Sequence, residues 1–461
     1  MKLNYDLQNA WEFERENNNI DEVMNYAKGY MNFLDNGKTE RTSAKEIVKM
    51  AKENGYISLD EAINKGNINS GDKIYAINKD KSVALFVIGK KTLENGMRIV
   101  GGHIDAPRLD LKPNPLYEED NLGFLKTHYY GGIKKYQWTT IPLAIHGVVI
   151  LSSGKKVDIC IGEDESDPIF CVTDLLPHLA SDQMQKKLSD GILGEKLNLL
   201  VGNIPLEGED KHLVKQNILK LLNEKYNMIE EDFISAEIEI VPSGKARDLG
   251  FDRSMVLAYG HDDRVCSYAA VKALMDIENP TYCAVALCVD KEEVGSQGNT
   301  GMQSRFFENT VAELIELEGN YSELKVRRAM TNTKVLSADV AAGYDPNYAQ
   351  AYEKRNSAFL GNGIVLSKYT GSRGKGGCND ANAEFMAEVR NIFNSADVVW
   401  QSAELGKIDQ GGGGTIAYIL ANYGSEVIDC GVGVLSMHAP YEVVSKVDIY
   451  QMYKGYKAFF I

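Results

Sequence analysis

Tyr282-Cys283-Ala284-Val285-Ala286-Leu287-Cys288-Val289-Asp290-Lys291-Glu292-Glu293-Val294-Gly295-Ser296 joins an apolar run to a pair of adjacent carboxylates. A short apolar run bounded by charge and glycine reads as a buried strand. Two carboxylates at the end of such a strand are expensive to desolvate. They become tolerable if a cation takes one and a reaction uses the other. Four other metal-type residues end or follow similar runs: His103 after 97–102, Asp262 after 255–260, Asp339 after 334–338 and His438 after 428–437. Ligands of open α/β sheets bind beyond the carboxyl ends of the strands. The coincidence of these strand ends carries the argument, because any one of them alone is weak.

Outward from that stretch the pattern after residue 242 is strand, helix, strand. Strands are expected at 255–259, 282–289, 334–338, 398–401 and 428–435, with helices at 264–277, 381–392 and 415–423. Such alternation implies a largely parallel sheet covered by helices. The first 80 residues read as amphipathic helices at 10–35 and 42–54, continuing through 58–65, and strands follow at 83–89 and 97–102. Between about 107 and 240 the texture changes. Pro113, Pro115, Gly123, Gly131-Gly132 and Pro142 punctuate short alternating stretches. Strands at 138–151 and 156–160, an exposed strand at 234–241 and a helical piece at 175–188 are expected there. The fold class is therefore α/β: a mostly parallel sheet with helices on both faces. Residues 1–106 plus 242–461 would form a discontinuous catalytic domain, and 107–241 an inserted β-rich domain with its own core.

With 461 residues the chain is too long for one typical core. A net charge of −15 argues against nucleic acid or an anionic membrane as the main partner. Met1 to Arg15 is polar and acidic, without the apolar segment of a secretion signal. The seven cysteines are scattered, form no C-x-x-C pair and sit mostly in apolar surroundings. They read as small core residues in a reducing cytoplasm.

Mixed histidine and carboxylate ligands suit Zn²⁺, with Co²⁺ or Mn²⁺ as alternatives, rather than Ca²⁺ or Mg²⁺. Two metals roughly 3.5–4 Å apart need a bridging carboxylate. One further carboxylate must stay off the metals to take a proton from water. The six residues supply both parts, five ligands and one base.

The motifs His103-Ile104-Asp105 after Val100-Gly101-Gly102, Asp262-Asp263-Arg264, Asp290 to Ser296, Ser337-Ala338-Asp339 with Pro346-Asn347-Tyr348, and Ser436-Met437-His438 fall in one order along the chain. In that order they resemble the aspartyl aminopeptidase family of dinuclear metallo-aminopeptidases. The resemblance implies release of single N-terminal residues from peptides by metal-activated water. It implies that Asp262 bridges two metals, that His103 and Asp339 complete one site and Glu293 and His438 the other, and that Glu292 is the general base. Asp105 would orient a ligand imidazole. The insertion resembles that family's dimerisation domain, and Pro177-His178-Leu179-Ala180 its segment carrying a histidine into a neighbouring subunit's site. Assembly as a dodecamer built from dimers is implied in the same way. The family's acid-preferring members carry a basic group in a stretch that here is Tyr369 to Asp380, with Arg373 and Lys375; an acidic or broader residue preference follows.

Plainer readings stand beside these. Glu292 and Glu293 suit a solvated helix start, His438 a core histidine, Asp339 a turn and Asp262 an N-cap. Asp263 rivals Asp262 for the bridging role. His178 could be a surface histidine, and His128, His146, His212 and His261 have no comparable partners in the sequence. Gly371 to Gly377 lacks phosphate-loop spacing. Serine and cysteine nucleophiles have no placed base, which disfavours covalent catalysis. A dinuclear-metal deacylase or amidase on small N-acyl compounds, and a non-catalytic assembled carrier shell, are the alternative functions.

Overall fold

Cys283–Val289 is buried along its whole length in the middle of a nine-stranded sheet. It runs parallel to Met97–His103, which runs parallel to Lys334–Ser337, which runs parallel to Glu426–Gly431. Ser82–Val87 on one side and Ile364–Ser367 on the other run antiparallel to this centre, and Lys73–Asn78 pairs antiparallel with Ser82–Val87. The sheet is therefore mixed at its margins and parallel where His103, the Glu292-Glu293 pair and Asp339 emerge. The computed structural model describes residues 3–208, 211–319 and 321–461.

Strand alternation assigns the side chains to two cores. Ala284, Ala286 and Cys288 face one core, with helices His261–Met275 and Lys446–Phe460 packed on it. Val285, Leu287 and Val289 face the other, with Phe307, Val311 and Leu314 of helix Phe306–Leu317. Leu287 is fully buried; truncating such a residue to alanine costs about 2–5 kcal/mol. The central strands are thus pinned from both faces, which fixes where their carboxyl ends lie.

By contacts the chain forms two units. One comprises Met1–Ala106, Ala246–Met437 and Glu442–Ile461, the other Pro107–Lys245 with His438–Tyr441. The first also holds a five-stranded sheet ordered Arg247–Leu249, Met255–Ala258, Glu442–Ser445, Gly433–Leu435, Ala341–Ala342. The second holds a six-stranded antiparallel sheet ordered Lys156–Ile161, Leu143–Ile150, Ala236–Pro242, Arg108–Glu119, Leu122–Tyr130, Leu199–Gly202.

Several expectations are corrected. The strands before Asp262 and His438 belong to the five-stranded sheet, not the main one. The run 428–435 breaks at Val432: Glu426–Gly431 joins the large sheet and Gly433–Leu435 the smaller. Ala236–Pro242 is a central strand, buried from Ile238 onward, because it pairs on both edges. The piece 175–188 forms only the short turns Pro177–Leu179 and Ser181–Met184, where the small Ala180 alone is buried and no large apolar side chain anchors a longer helix. The stretch 10–35 is two helices, Ala10–Glu16 and Ile20–Asn36, the first capped by the Asn9 side chain. Among the cysteines, Cys266, Cys283, Cys288 and Cys430 are buried as expected, whereas Cys160 is exposed.

Candidate metal centre

Three parallel strands deliver their ends side by side. Val289 is in register with His103, and Gly101 with Ser337. The chain leaves these strands as Ile104-Asp105, as Asp290-Lys291 into the turn Glu292–Val294, and as Ala338-Asp339. Lys291 sits in the left-handed region, at φ 68°, and turns the chain so that the two glutamates follow at once. Asp262 and Asp263 enter from the start of helix His261–Met275, where both residues have non-helical backbone angles.

His103 is the hub. It is 2% exposed. Its Nε2 lies 3.2 Å from Asp262 Oδ1 and 3.8 Å from Glu292 Oε2. Its Nδ1 lies 3.0 Å from the Asp105 carbonyl oxygen and 3.2 Å from Asp105 Oδ1. The His103 backbone N–H donates to Asp263 Oδ2 at 3.3 Å, and Ser267 Oγ donates to the His103 carbonyl at 2.8 Å. Asp105 in turn accepts the N–H groups of Glu292 and Glu293, each at 3.2 Å. One buried carboxylate therefore orients the imidazole and the glutamate turn together.

Ligand-type atoms of His103, Asp262 and Glu293 lie within 4.8 Å of one another, and so do those of His103, Asp263 and Asp339. Gly102 makes room for this crowding. A Cβ there would stand 2.5 Å from Asp263 Oδ2 and 3.1 Å from the Ala338 carbonyl oxygen.

The electrostatics follow from the crowding. Burial alone would lower the His103 pKa, but its hydrogen bonds to Asp105 and Asp262 carry it well above the ordinary imidazole value. Burial, then the charges of Glu292, Asp262 and Asp263, push Asp339 well above the usual carboxylate range. Burial does the same to Asp263. Carboxylates that raise one another's pKa mark a place where a bound cation relieves repulsion. An imidazole nitrogen among carboxylate oxygens is a donor set that zinc accepts.

Of the residues read from the sequence, His103, Asp262, Glu292, Glu293 and Asp339 converge here. His438 lies in the segment grouped with the second unit, where its Nδ1 is 2.9 Å from the Gly132 carbonyl oxygen. His178 is exposed on the turn Pro177–Leu179. Two participants do not stand out as metal-centre residues in the sequence. Asp263 appeared only as a rival bridge, yet it holds the His103 backbone. Glu442, 1% exposed, accepts the Asp262 N–H at 3.0 Å. A glutamate opening the short strand Glu442–Ser445, next to Val443 and Val444, was the available signal.

An α/β sheet carrying a buried imidazole among carboxylates at its strand ends has the form of a metallohydrolase. The chain belongs to the peptidase M18 family, whose profile, described as Aminopeptidase I zinc metalloprotease (M18), it matches over residues 33–460. It is thus a metallo-aminopeptidase, an exopeptidase of the hydrolase class. A curated relative from Clostridium acetobutylicum, named "Probable M18 family aminopeptidase 1", is 57% identical over 98% of both chains. The crystal structure of aminopeptidase I from Clostridium acetobutylicum superposes with a TM-score of 0.93 at 52% identity, covering 100% of both chains. The S. cerevisiae mApe1 dodecamer shares the fold, with a TM-score of 0.77 at 21% identity over 94% of this chain and 96% of that one. Among the described residues no helix is long and apolar enough to cross a membrane.

Proposed function

We propose that this aminopeptidase acts with two divalent metal ions, zinc or else cobalt or manganese. Asp262 is the bridging ligand, His103 and Asp339 the ligands of one ion, and Glu293 and His438 those of the other. Glu292 is the general base. The observation that carries the reading is the single hub at His103, with Asp262, Asp105 and Glu292 around one buried ring. Asp262 is favoured over Asp263 as bridge because its carboxylate faces Nε2, whereas Asp263 is engaged by the His103 backbone. For His438, the Nδ1 contact to a backbone carbonyl fits a ligand that binds metal through Nε2.

When bound, divalent metals lower the pKa of water and polarise a scissile carbonyl. The chain's own residues do the rest. Glu292 takes the proton of the attacking water and returns it to the leaving amine. Asp105 holds Glu292 and His103 in fixed relation, so the base need not reorganise as charge develops.

Substrates are peptides that lose one N-terminal residue, with an acidic or broader preference. In the Tyr369 to Asp380 stretch, Lys375 Nζ lies 2.8 Å from Asp380, which also binds Lys368. That engagement leaves Arg373 as the basic group to test for acid preference.

Self-association, as dimers building a dodecamer, follows from the resemblance. The second unit, read as the dimerisation domain, supports it: Leu175, Leu176, Leu179, Met184 and Leu188 are all exposed around His178. A patch of this kind calls for a covering partner. His178 would act in a neighbouring subunit's site. A monomer by light scattering at micromolar concentration contradicts both ideas. Cytoplasmic residence accords with the unpaired cysteines.

The test is a panel of aminoacyl-p-nitroanilides beside N-acyl amides, with chelator and with added Zn²⁺, Co²⁺ or Mn²⁺. Chelator-sensitive cleavage of the free-amine substrates alone is expected. Cleavage of N-acyl amides at equal rates contradicts the aminopeptidase reading and favours the deacylase. No cleavage by metal-loaded protein favours the carrier shell.

A further inference from the structure

The sequence places no base beside any nucleophile. The fold of the second unit supplies one. Leu143–Ile150 pairs antiparallel with Lys156–Ile161, and the register sets His146 directly opposite Cys160. Directly opposed residues of an antiparallel pair project to the same face. His146 is 4% exposed and Cys160 is open to solvent.

A third group completes the line. His146 Nε2 donates to Glu163 Oε1 at 2.8 Å. The other oxygen of Glu163 accepts the Gly244 N–H at 3.3 Å. A carboxylate accepts and does not donate, so Nε2 carries its proton and Nδ1 is left for the thiol. Nucleophile, base and orienting carboxylate stand in the order that nucleophilic catalysis uses. Burial pulls the His146 pKa down, but the neighbouring Cys160 and Glu163 carry it above the ordinary value. Glu239 is in register with His146 from the other side and is ion-paired to Arg108 at 3.2 Å. Asp158 lies two residues before Cys160 on the same strand, and Tyr441 lies near Glu163.

We propose that Cys160 is a reactive thiol, with His146 as its base and Glu163 as the group that orients His146, forming a site of two-electron oxidation by hydroperoxides. Lys156–Ile161 is the outermost strand of its sheet, so the thiol is open to a small electrophile. The thiol proton passes to His146 Nδ1 and sulfur bonds the distal peroxide oxygen. The O–O bond breaks, and the departing oxygen takes the proton from His146 and leaves as water or alcohol. Sulfur gives up two electrons and becomes a sulfenic acid; the peroxide is reduced by the same two. None of the three residues belongs to the metal centre above.

The experiment labels the full-length protein with iodoacetamide at pH 7 and follows each cysteine by mass spectrometry, with the denatured chain giving intrinsic rates. Cys378, which donates to the Lys375 carbonyl oxygen and has no base assigned, is the internal reference. Cys160 is expected to react about tenfold or more faster than Cys378, and His146→Gln to remove most of that excess. Glu163→Gln is a second variant, expected to slow Cys160 by a smaller factor and to serve if His146→Gln does not fold. Hydrogen peroxide followed by dimedone should tag Cys160 in the parent protein and markedly less in the variants. Equal rates for Cys160 and Cys378, an unlabelled Cys160, or a Cys160 rate unchanged in both variants would each overturn the proposal.

Discussion

The carboxylate of Asp105 accepts the backbone N–H of Glu293 at 3.2 Å while its other oxygen stands 3.2 Å from His103 Nδ1. One side chain thus ties a ligand-type imidazole to the turn that carries both glutamates. Asp105→Asn keeps the shape but turns an N–H donor toward a backbone N–H or toward the ring. Partners of this kind change metal affinity by about 10–100-fold. Zinc titration of the metal-free variant is expected to show a loss in that range; parent-like affinity would remove Asp105 from the design.

Gly102 is the second dependency. A methyl group there meets Asp263 Oδ2 at 2.5 Å, with the Ala338 carbonyl and Ser267 Oγ each at 3.1 Å. Overpacking of this sort costs about 1–3 kcal/mol. Gly102→Ala is expected to lower the urea midpoint of the metal-free protein by the corresponding amount and also to weaken zinc binding. An unchanged midpoint would show that Asp263 can move without cost.

Proton linkage follows from His103 and Asp339. Both bind protons more tightly than free side chains in the metal-free site. Metal ligands must be deprotonated. Zinc binding near neutral pH is therefore expected to release protons, and affinity to fall as pH falls. Calorimetry in two buffers of different ionisation enthalpy checks this, and a heat independent of buffer contradicts it.

Asp448 gives a stability test away from these residues in sequence. Burial raises its pKa to about 7, although the N–H groups of Gly361 and Gly363, each at 2.7 Å, pull the other way. An acid whose folded pKa is raised contributes stability that is complete below its unfolded value, about 3.9, and is lost as pH rises through the folded one. The loss amounts to about 4 kcal/mol between those limits. Asp448→Asn is expected to flatten that part of the stability profile between about pH 4 and pH 7, read by urea melts. Parallel profiles for parent and variant would contradict it.

The candidate site was more legible than the frame around it. Ligand-type residues at the ends of Met97–His103, Cys283–Val289 and Lys334–Ser337 stand out because an apolar run ending in charge is rare and costly. What stayed hidden depends on long-range pairing. Nothing local shows that Ala236–Pro242 is hydrogen-bonded on both edges, or that Val432 divides one apolar run between two sheets. The buried C-terminal helix Lys446–Phe460 escaped notice because Lys446, Asp448 and Gln451 are polar yet buried. Cys160 and His146 are 14 residues apart in sequence, and only strand register makes them neighbours.

The most direct test of the account is turnover and metal content of Glu292→Gln, measured on one preparation. The proposed base is removed while every proposed ligand remains. The account predicts two metal ions per chain, as in the parent, with kcat lowered by about 10²–10⁴-fold or more. A variant that binds its metals and keeps near-parent turnover would show that Glu292 is not the base.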